Sequence, residues 1–457
     1  MSNVATAINM EALPDRVLVV GLGKTGLSCA RYLHAQGVSK LAVADSRQQP
    51  PGLQTLNEEL PDVGLFLGEF DQEMFAAADM LVVSPGVPMA TPAIQHAIIK
   101  GVDVVGDVEL FARNVQTPVV AITGSNGKST VTTLLGHMAG ACMDGVAVGG
   151  NLGEPILDLF SPAHALYVLE LSSFQLETTH SLVPYVAVVL NISADHMDRY
   201  TGLDEYAEVK SRVYSKANTG VYNLDDPLVM SMPKSKNALF FTLGEPVGKN
   251  SFGLRRINGA SWLCKGEKPL LPASELLMPG QHNQANALAA LAMGTALKLP
   301  MDKMLQVLRI FPGLAHRTEH VATVDAVTWY NDSKGTNPGA TIAALQGLDA
   351  ADESRTVLIA GGDCKQANFE MLADVIAVTC RGLVLIGKDR KQIAQPLAKR
   401  ITVVEATSME DAVSKAAALA HPGDRVLLSP ACASFDMFDG FEHRGKVFKD
   451  HVRELLQ

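Results

Sequence analysis

Thr123-Gly124-Ser125-Asn126-Gly127-Lys128-Ser129-Thr130 stands between an apolar run at 118–122 and a helical pattern. A Gly-rich turn at that junction aims backbone N–H groups at phosphate oxygens. Lys128 would neutralise β/γ-phosphate charge and the Ser129 hydroxyl would ligate Mg²⁺, so the segment predicts a nucleoside triphosphate site. The general pattern requires Gly five positions before Gly127, where this chain has Ile122. Downstream, the predicted strand at 166–170 ends on Glu170, and the one at 186–191 is followed by Ser193-Ala194-Asp195-His196. A carboxylate and an imidazole after adjacent strands of a phosphate-binding sheet are placed to ligate metal. Lys210, in the helical Tyr206-Ala207-Glu208-Val209-Lys210, reads on its own as a solvated lysine.

A second turn, Gly21-Leu22-Gly23-Lys24-Thr25-Gly26, joins a predicted strand at 17–20 to a helix running to about 35, and matches the dinucleotide fingerprint. Asp45 follows Gly26 by 19 residues, where a ribose-binding acid would sit. Alone, this turn predicts an NAD-dependent dehydrogenase or a site for another diphosphate. Nearer the C-terminus, polar loops at 313–317, 331–337, 361–365 and 429–434 precede or follow predicted strands. Several such loops at the strand ends of one sheet define a crevice suited to a small anionic substrate.

The elements needed to position these groups are legible as alternating strands and helices. Further strands are predicted at 41–44, 80–84, 326–330, 357–360, 383–386, 402–404 and 426–428, and helices at 284–299 and 302–310. Continuous apolar strands separated by helices imply parallel sheets covered on both faces. Between 221 and 279 shorter segments broken by Gly, Asn and Pro predict an antiparallel β insertion. The expectation is a three-domain α/β chain: a Rossmann-like unit over 1–106, a P-loop unit over 107–313 and a second Rossmann-like, doubly wound unit over 314–457. Three units also suit the length at roughly 150 residues each.

Composition narrows the class. A net charge of −10 without a basic block argues against nucleic acid as a partner. Six scattered cysteines with no CxxC pair predict buried thiols in a reducing compartment rather than a disulfide framework or zinc site. The N-terminal residues lack a signal-peptide profile and no apolar run reaches 18 residues, so a cytoplasmic protein without membrane insertion is expected.

In order along the chain, GLGKTGLSC, SPGVP, TGSNGKST, GGNLG, LELSSFQLE, NISADHMDRY, GQHNQANALAA, GLAHRTE, NDSKGTNP, GGDCK and LSPACASFDMF resemble the Mur ligase family. These are ATP-dependent amide-forming enzymes of bacterial peptidoglycan precursor synthesis. The resemblance spans nearly the whole chain and explains the shortened phosphate loop. It implies that the first domain holds a UDP-sugar rather than NAD, through Lys24, Thr25, Asp45, Ser46, Arg47 and Gly86, with Asn151 of GGNLG reaching the same substrate. It places ATP on Gly124 to Thr130 (Ser125, Asn126, Gly127, Lys128 and Ser129 included), Asn283 and Asn286, with His316, Arg317, Asp332 and Lys334 closing from the third domain. It assigns D-glutamate to Thr336, Lys365, Ser434 and Phe441, and UDP-N-acetylmuramoyl-L-alanine as the acid to be extended. Two Mg²⁺ ions are implied, one on Ser129 and Glu170 and one on His196 and a CO₂-derived carbamate on Lys210. Lys128, His196 and Lys210 would then serve catalysis, in a protein expected to be monomeric. Asn337-Pro338-Gly339 stands where a diaminopimelate-adding member would carry DNPR. Other amino-acid ligases of the superfamily, such as folylpolyglutamate synthase, need no UDP-binding first domain. A dehydrogenase would leave TGSNGKST without a role, and an ATP-hydrolysing switch would leave the third crevice without one.

Overall fold

The computed structural model describes residues 13–197, 199–278, 280–348, 354–364, 367–397 and 400–456. The first sheet is fully parallel, in the order Gly64–Leu67, Lys40–Asp45, Arg16–Val20, Met80–Val83, Asp103–Val105. Residues 17–20 and 80–83 are buried throughout, which is why those strands read as unbroken apolar runs. Strand order reverses between Arg16–Val20 and Met80–Val83, so the Gly21 turn opens at a crevice of the kind that binds ligands in such sheets. Gly26 is needed there because a Cβ would lie 1.8 Å from the Gly21 carbonyl oxygen.

The middle sheet has nine strands, and Val119–Thr123 lies between Val186–Val189 and Leu166–Glu170. Helices Lys128–Gly140 and Gln281–Ala296 cover one face, burying Val131, Leu134 and Leu135 with Leu288, Leu291 and Met293. On the other face Tyr167 and Leu169 continue into a core shared with Val108, Leu110 and Phe111, which lie on the helix following the first sheet. The antiparallel insertion expected over 221–279 is present but narrower, confined to Ser251–Ile257, Ala260–Lys265 and Lys268–Pro272. Thr219–Asn223 and Asn237–Phe241 extend the parallel sheet, and Ser251–Ile257 also pairs parallel with its neighbour. Only the steps to Ala260–Lys265 and Lys268–Pro272 are antiparallel, at the edge of this same sheet. The breaker-like Asp226-Pro227 is a helix start: the Asp226 carboxylate accepts from the N–H groups of Leu228 and Val229 and caps the short crossover helix Pro227–Ser231.

The third sheet runs Glu319–Val324, Val327–Asn331, Arg425–Leu428, Thr356–Gly361, Cys380–Ile386, Thr402–Glu405. All neighbours are parallel except the first pair, a hairpin turning through Asp325 and Ala326 at φ 49° and 63°. The hairpin's first strand is an addition to the expected elements. The cysteine expectation is also corrected, because Cys364 and Cys432 form a disulfide across 68 residues with Cα atoms 4.6 Å apart. Thr356–Gly361 and Arg425–Leu428 are adjacent in register, so the loops leaving them meet although their sequence positions do not. Cys29 and Cys264 are buried free thiols and Cys380 is buried, as expected, whereas Cys142 is only partly buried. Among the described residues no helix is long and apolar enough to cross a membrane.

Candidate active site

The phosphate loop leaves Val119–Thr123 and enters Lys128–Gly140. Gly127 adopts φ 84°, and a Cβ there would fall 2.5 Å from the Asn286 side-chain oxygen, so both conformation and space demand glycine. Lys128 curls back over the loop, its Nζ donating to the carbonyl oxygens of Gly124 and Ser125 at 2.9 Å each. Burial lowers its pKa, against the pull of Glu170 and Asp195. The loop is held from the next strand's end: Asn191 Oδ1 accepts from the Asn126 N–H, and Ser125 Oγ donates to the Ser193 carbonyl.

Glu170 is 3 % exposed at the end of its strand. Oε1 accepts from Asn151 Nδ2 at 2.7 Å, and Oε2 is buried without a hydrogen-bond partner. Burial alone would raise this carboxyl's pKa, but Lys128, Ser129 and Asn151 hold it below its ordinary value. A buried, ionised and half-satisfied carboxylate beside a P-loop serine fits a Mg²⁺ ligand. Among the described residues no three His, Cys, Asp or Glu side chains cluster as a metal site, so remaining ligands would be Ser129, phosphate oxygens and water. Ser129 Oγ here accepts from Arg317 Nη2 at 2.7 Å, a contact from the third unit onto the phosphate loop. His196 sits in left-handed backbone at φ 57°, packs edge-on to Phe174 and lies 3.7 Å from Asp195. Lys210, read by itself as a solvated lysine, is only 1 % exposed. Its Nζ donates to Thr123 Oγ1 and lies over the Tyr206 ring, with no carboxylate at ion-pair distance among the described residues. Burial, then repulsion from Lys128, pushes its pKa well below the lysine value.

A cavity of about 310 Å³ opens from the phosphate loop toward the third unit. Asn126, Gly127, Thr130, Asn283 and Asn286 line it on one side, and Arg317, Asp332 and Lys334 on the other. Asn286 Nδ2 donates to Asn283 Oδ1, orienting both amides. Asp332 is buried, accepts from the Thr318 N–H and Ser429 Oγ, and is pushed by burial up to about 6. Lys334 lies 3.7 Å from the centre of the Phe441 ring and is lowered by burial to about 8. His316 stands behind this wall, bonded to Asn331. His282 also lines the cavity and was missed from sequence, although it lies within GQHNQAN.

A second cavity, about 590 Å³, lies at the crevice of the first sheet. Lys24, Thr25, Asp45, Ser46, Arg47, Gly86 and Asn151 all line it. Phe70 lines it too, without a sequence pattern that marked it, as does Gln175, which lies in LELSSFQLE but was given no site role. Asp45 does not present a free carboxylate to a ribose. Oδ2 accepts from the Leu22 N–H and Arg47 Nη2, and Oδ1 from the Arg47 N–H and Nε. The Arg47 hydrogen bond, with backbone donors, holds Asp45 down to about 2. The half-exposed guanidinium is left facing the cavity, which suits a phosphate-bearing ligand.

In the third unit Thr336 is exposed, Ser434 is buried and Phe441 is half-buried at a helix start. Ser333 Oγ donates to the Phe441 carbonyl and the Ala431 N–H to the Gly335 carbonyl, so the expected loops at 331–337 and 429–434 meet each other and the helix start at Phe441. Lys365 lies outside the described residues.

Three family models match in sequence: the MurD-like N-terminal domain of Mur ligases over 15–106, the Mur ligase middle domain over 122–294, and the Mur ligase glutamate ligase domain over 316–432. A UDP-N-acetylmuramoylalanine–D-glutamate ligase from Pseudomonas fluorescens is 51 % identical over 96 % of this chain and 98 % of its own. One from Marinobacter nauticus is 50 % identical over the same shares. The fold is also that of a pseudomurein peptide ligase from Methanothermus fervidus, with TM-score 0.60, 19 % identity and coverage of 96 % of this chain and 100 % of that one. Half of all positions shared along nearly the full length, with the three domain models matched in order, places this chain in the Mur ligase family.

Proposed function

We propose that the protein is an ATP-dependent ligase that joins D-glutamate to UDP-N-acetylmuramoyl-L-alanine, releasing ADP and phosphate, in cell-wall precursor synthesis. The observation that carries this reading is the 2.7 Å bond from Asn151 to Glu170. Asn151 lines the first-sheet cavity and Glu170 is within reach of Lys128 and Ser129 of the phosphate loop, so this bond links the two sites. A UDP-sugar seated in the first would extend its carboxylate toward the γ-phosphate of ATP in the second. The units over 1–106, 107–313 and 314–457 then divide the work into acid binding, phosphoryl transfer and amine delivery.

The chemistry follows from charge. A carboxylate is a poor electrophile, and its oxygen must attack a γ-phosphate that is also anionic. Lys128 and Arg317 are the cations of this chain that border the meeting point, and both reach the phosphate loop. Mg²⁺ held by Ser129 and Glu170, with a second ion at His196 and a carbamate on Lys210, would supply further charge neutralisation. Attack gives an acyl phosphate and ADP. The neutral amine of D-glutamate then adds to the acyl carbon, and the tetrahedral intermediate expels phosphate. Contacts from the third unit, Arg317 to Ser129 and Asn337 to Asp195, support a closed arrangement that excludes water from the acyl phosphate.

A phosphate-release panel tests the substrate assignment. With ATP and UDP-N-acetylmuramoyl-L-alanine, D-glutamate is expected to give turnover, and L-glutamate, L-lysine, meso-diaminopimelate and D-alanyl-D-alanine none. Turnover with one of the others and none with D-glutamate would refute it.

A further inference from the structure

Arg444 lies in the first turn of the helix Phe441–Glu454 and is 1 % exposed. Its hydrogen bonds all go to neutral acceptors. Nε donates to Ser333 Oγ at 3.0 Å, Nη2 to the Ser333 carbonyl at 2.8 Å and Nη1 to the Cys432 carbonyl at 3.2 Å. No carboxylate of the described residues stands at ion-pair distance, although Asp436 and Asp332 are near enough to favour its charge. A guanidinium removed from water without an anionic partner is costly, and an apolar side chain could fill the same space at less cost.

What a guanidinium does that an apolar side chain cannot is bridge. Its planar fork holds several acceptors at set angles to one another. Here those acceptors belong to the loop after Val327–Asn331 and the loop after Arg425–Leu428, while the stem belongs to the helix that starts at Phe441. Ser333 closes the arrangement by donating from Oγ to the Phe441 carbonyl at 2.8 Å. The same three segments carry Thr336, Ser434 and Phe441. None of these bonds reaches the nucleotide cavities, whose linings do not include Arg444.

We infer that Arg444 is a positioning residue for the incoming amino acid, fixing the spacing of the three segments that hold it. The inference rests on the proposed placement of D-glutamate at Thr336, Ser434 and Phe441. Arg444 sets where those groups stand and does not itself touch the reacting atoms.

The test is steady-state kinetics on the full-length enzyme, varying each of the three substrates in turn. Arg444→Met keeps the apolar stem and removes the bridge, and should raise the KM for D-glutamate about tenfold or more. The KM for the UDP-sugar should stay within about threefold of wild type, and that for ATP should rise less than that for D-glutamate, because Ser333 lies between Asp332 and Lys334 of the nucleotide cavity. Arg444→Lys keeps the charge and part of the bonding, and should fall between Met and wild type. If Arg444→Met does not fold, Arg444→Lys carries the test alone, with a selective rise in the D-glutamate KM as the expected result. Equal rises in all three KM values, or no rise in a folded variant, would overturn the inference. Thr336→Ala and Ser434→Ala separate the two levels. If neither changes the D-glutamate KM, the placement of the amino acid has failed. If they raise it and the Arg444 variants do not, only the positioning role has failed.

Discussion

Lys128→Ala is expected to lower ligation by about a thousandfold or more while leaving the fold intact. The side chain's two bonds in this structure go to the loop's own carbonyls, at Gly124 and Ser125. The loop keeps its anchors to Asn191 and Ser193 without the lysine, so the fold is expected to survive its removal. Against ATP the balance changes. The ammonium meets negative charge that grows on the transferring phosphoryl group, and an interaction stronger in the transition state than in the ground state is lost from the rate. Phosphate release at saturating substrates, with circular dichroism and a thermal midpoint as fold controls, reads the effect. Near-normal turnover in a folded variant would contradict phosphoryl transfer at this loop.

The second large effect is expected at Lys210. A lysine that is almost fully buried, bonded among the described residues only to the Thr123 hydroxyl and resting on the Tyr206 ring, is a poor place for a positive charge. The neutral amine that burial favours can add to CO₂, forming an N–C bond and losing a proton. The neutral amine then becomes an anionic two-oxygen group, a local change of about −1 within electrostatic reach of Asp195 and Glu170. Lys210→Ala should therefore lose most activity, and added formate or acetate should restore part of it by occupying the vacated anionic place. A lysine with only a packing role predicts no such rescue. Carbon-13 NMR of the wild-type enzyme under labelled bicarbonate should show a carbamate resonance that is absent from Lys210→Ala. Identical spectra would contradict the assignment.

The parallel strands were legible because burial on both faces leaves an apolar run with little polar interruption, as at 119–123 and 186–189. Less legible were strands with one exposed side, such as Gly64–Leu67, where burial alternates and glycine starts the segment. The first part of the stretch from 221 to 279 misled for a related reason, although 251–272 is antiparallel as expected. Short strands joined by a capped five-residue helix look like antiparallel turns unless Asp226 is recognised as an N-cap. At the candidate site, the glycine-rich loop and its lysine were legible because glycine positions and lysine spacing are local properties of one turn. Asp45 shows the limit. Its position was right for the cavity, but its carboxylate is committed to Leu22 and Arg47, two partners that local spacing does not reveal. Arg444 and Phe70 act through tertiary neighbours and left no pattern in the sequence. The Cys364–Cys432 pair likewise depends on strand adjacency across 68 residues.

The central claim is that the sugar-linked carboxylate is activated by phosphorylation before the amine attacks. Oxygen-18 in both carboxylate oxygens of UDP-N-acetylmuramoyl-L-alanine tests it most directly. If a carboxylate oxygen attacks the γ-phosphate of ATP, that oxygen leaves with phosphate when D-glutamate displaces it, and the other stays in the new amide. Mass spectrometry should then find one heavy oxygen in the released phosphate and one in the amide product. Unlabelled phosphate formed together with amide would contradict the account.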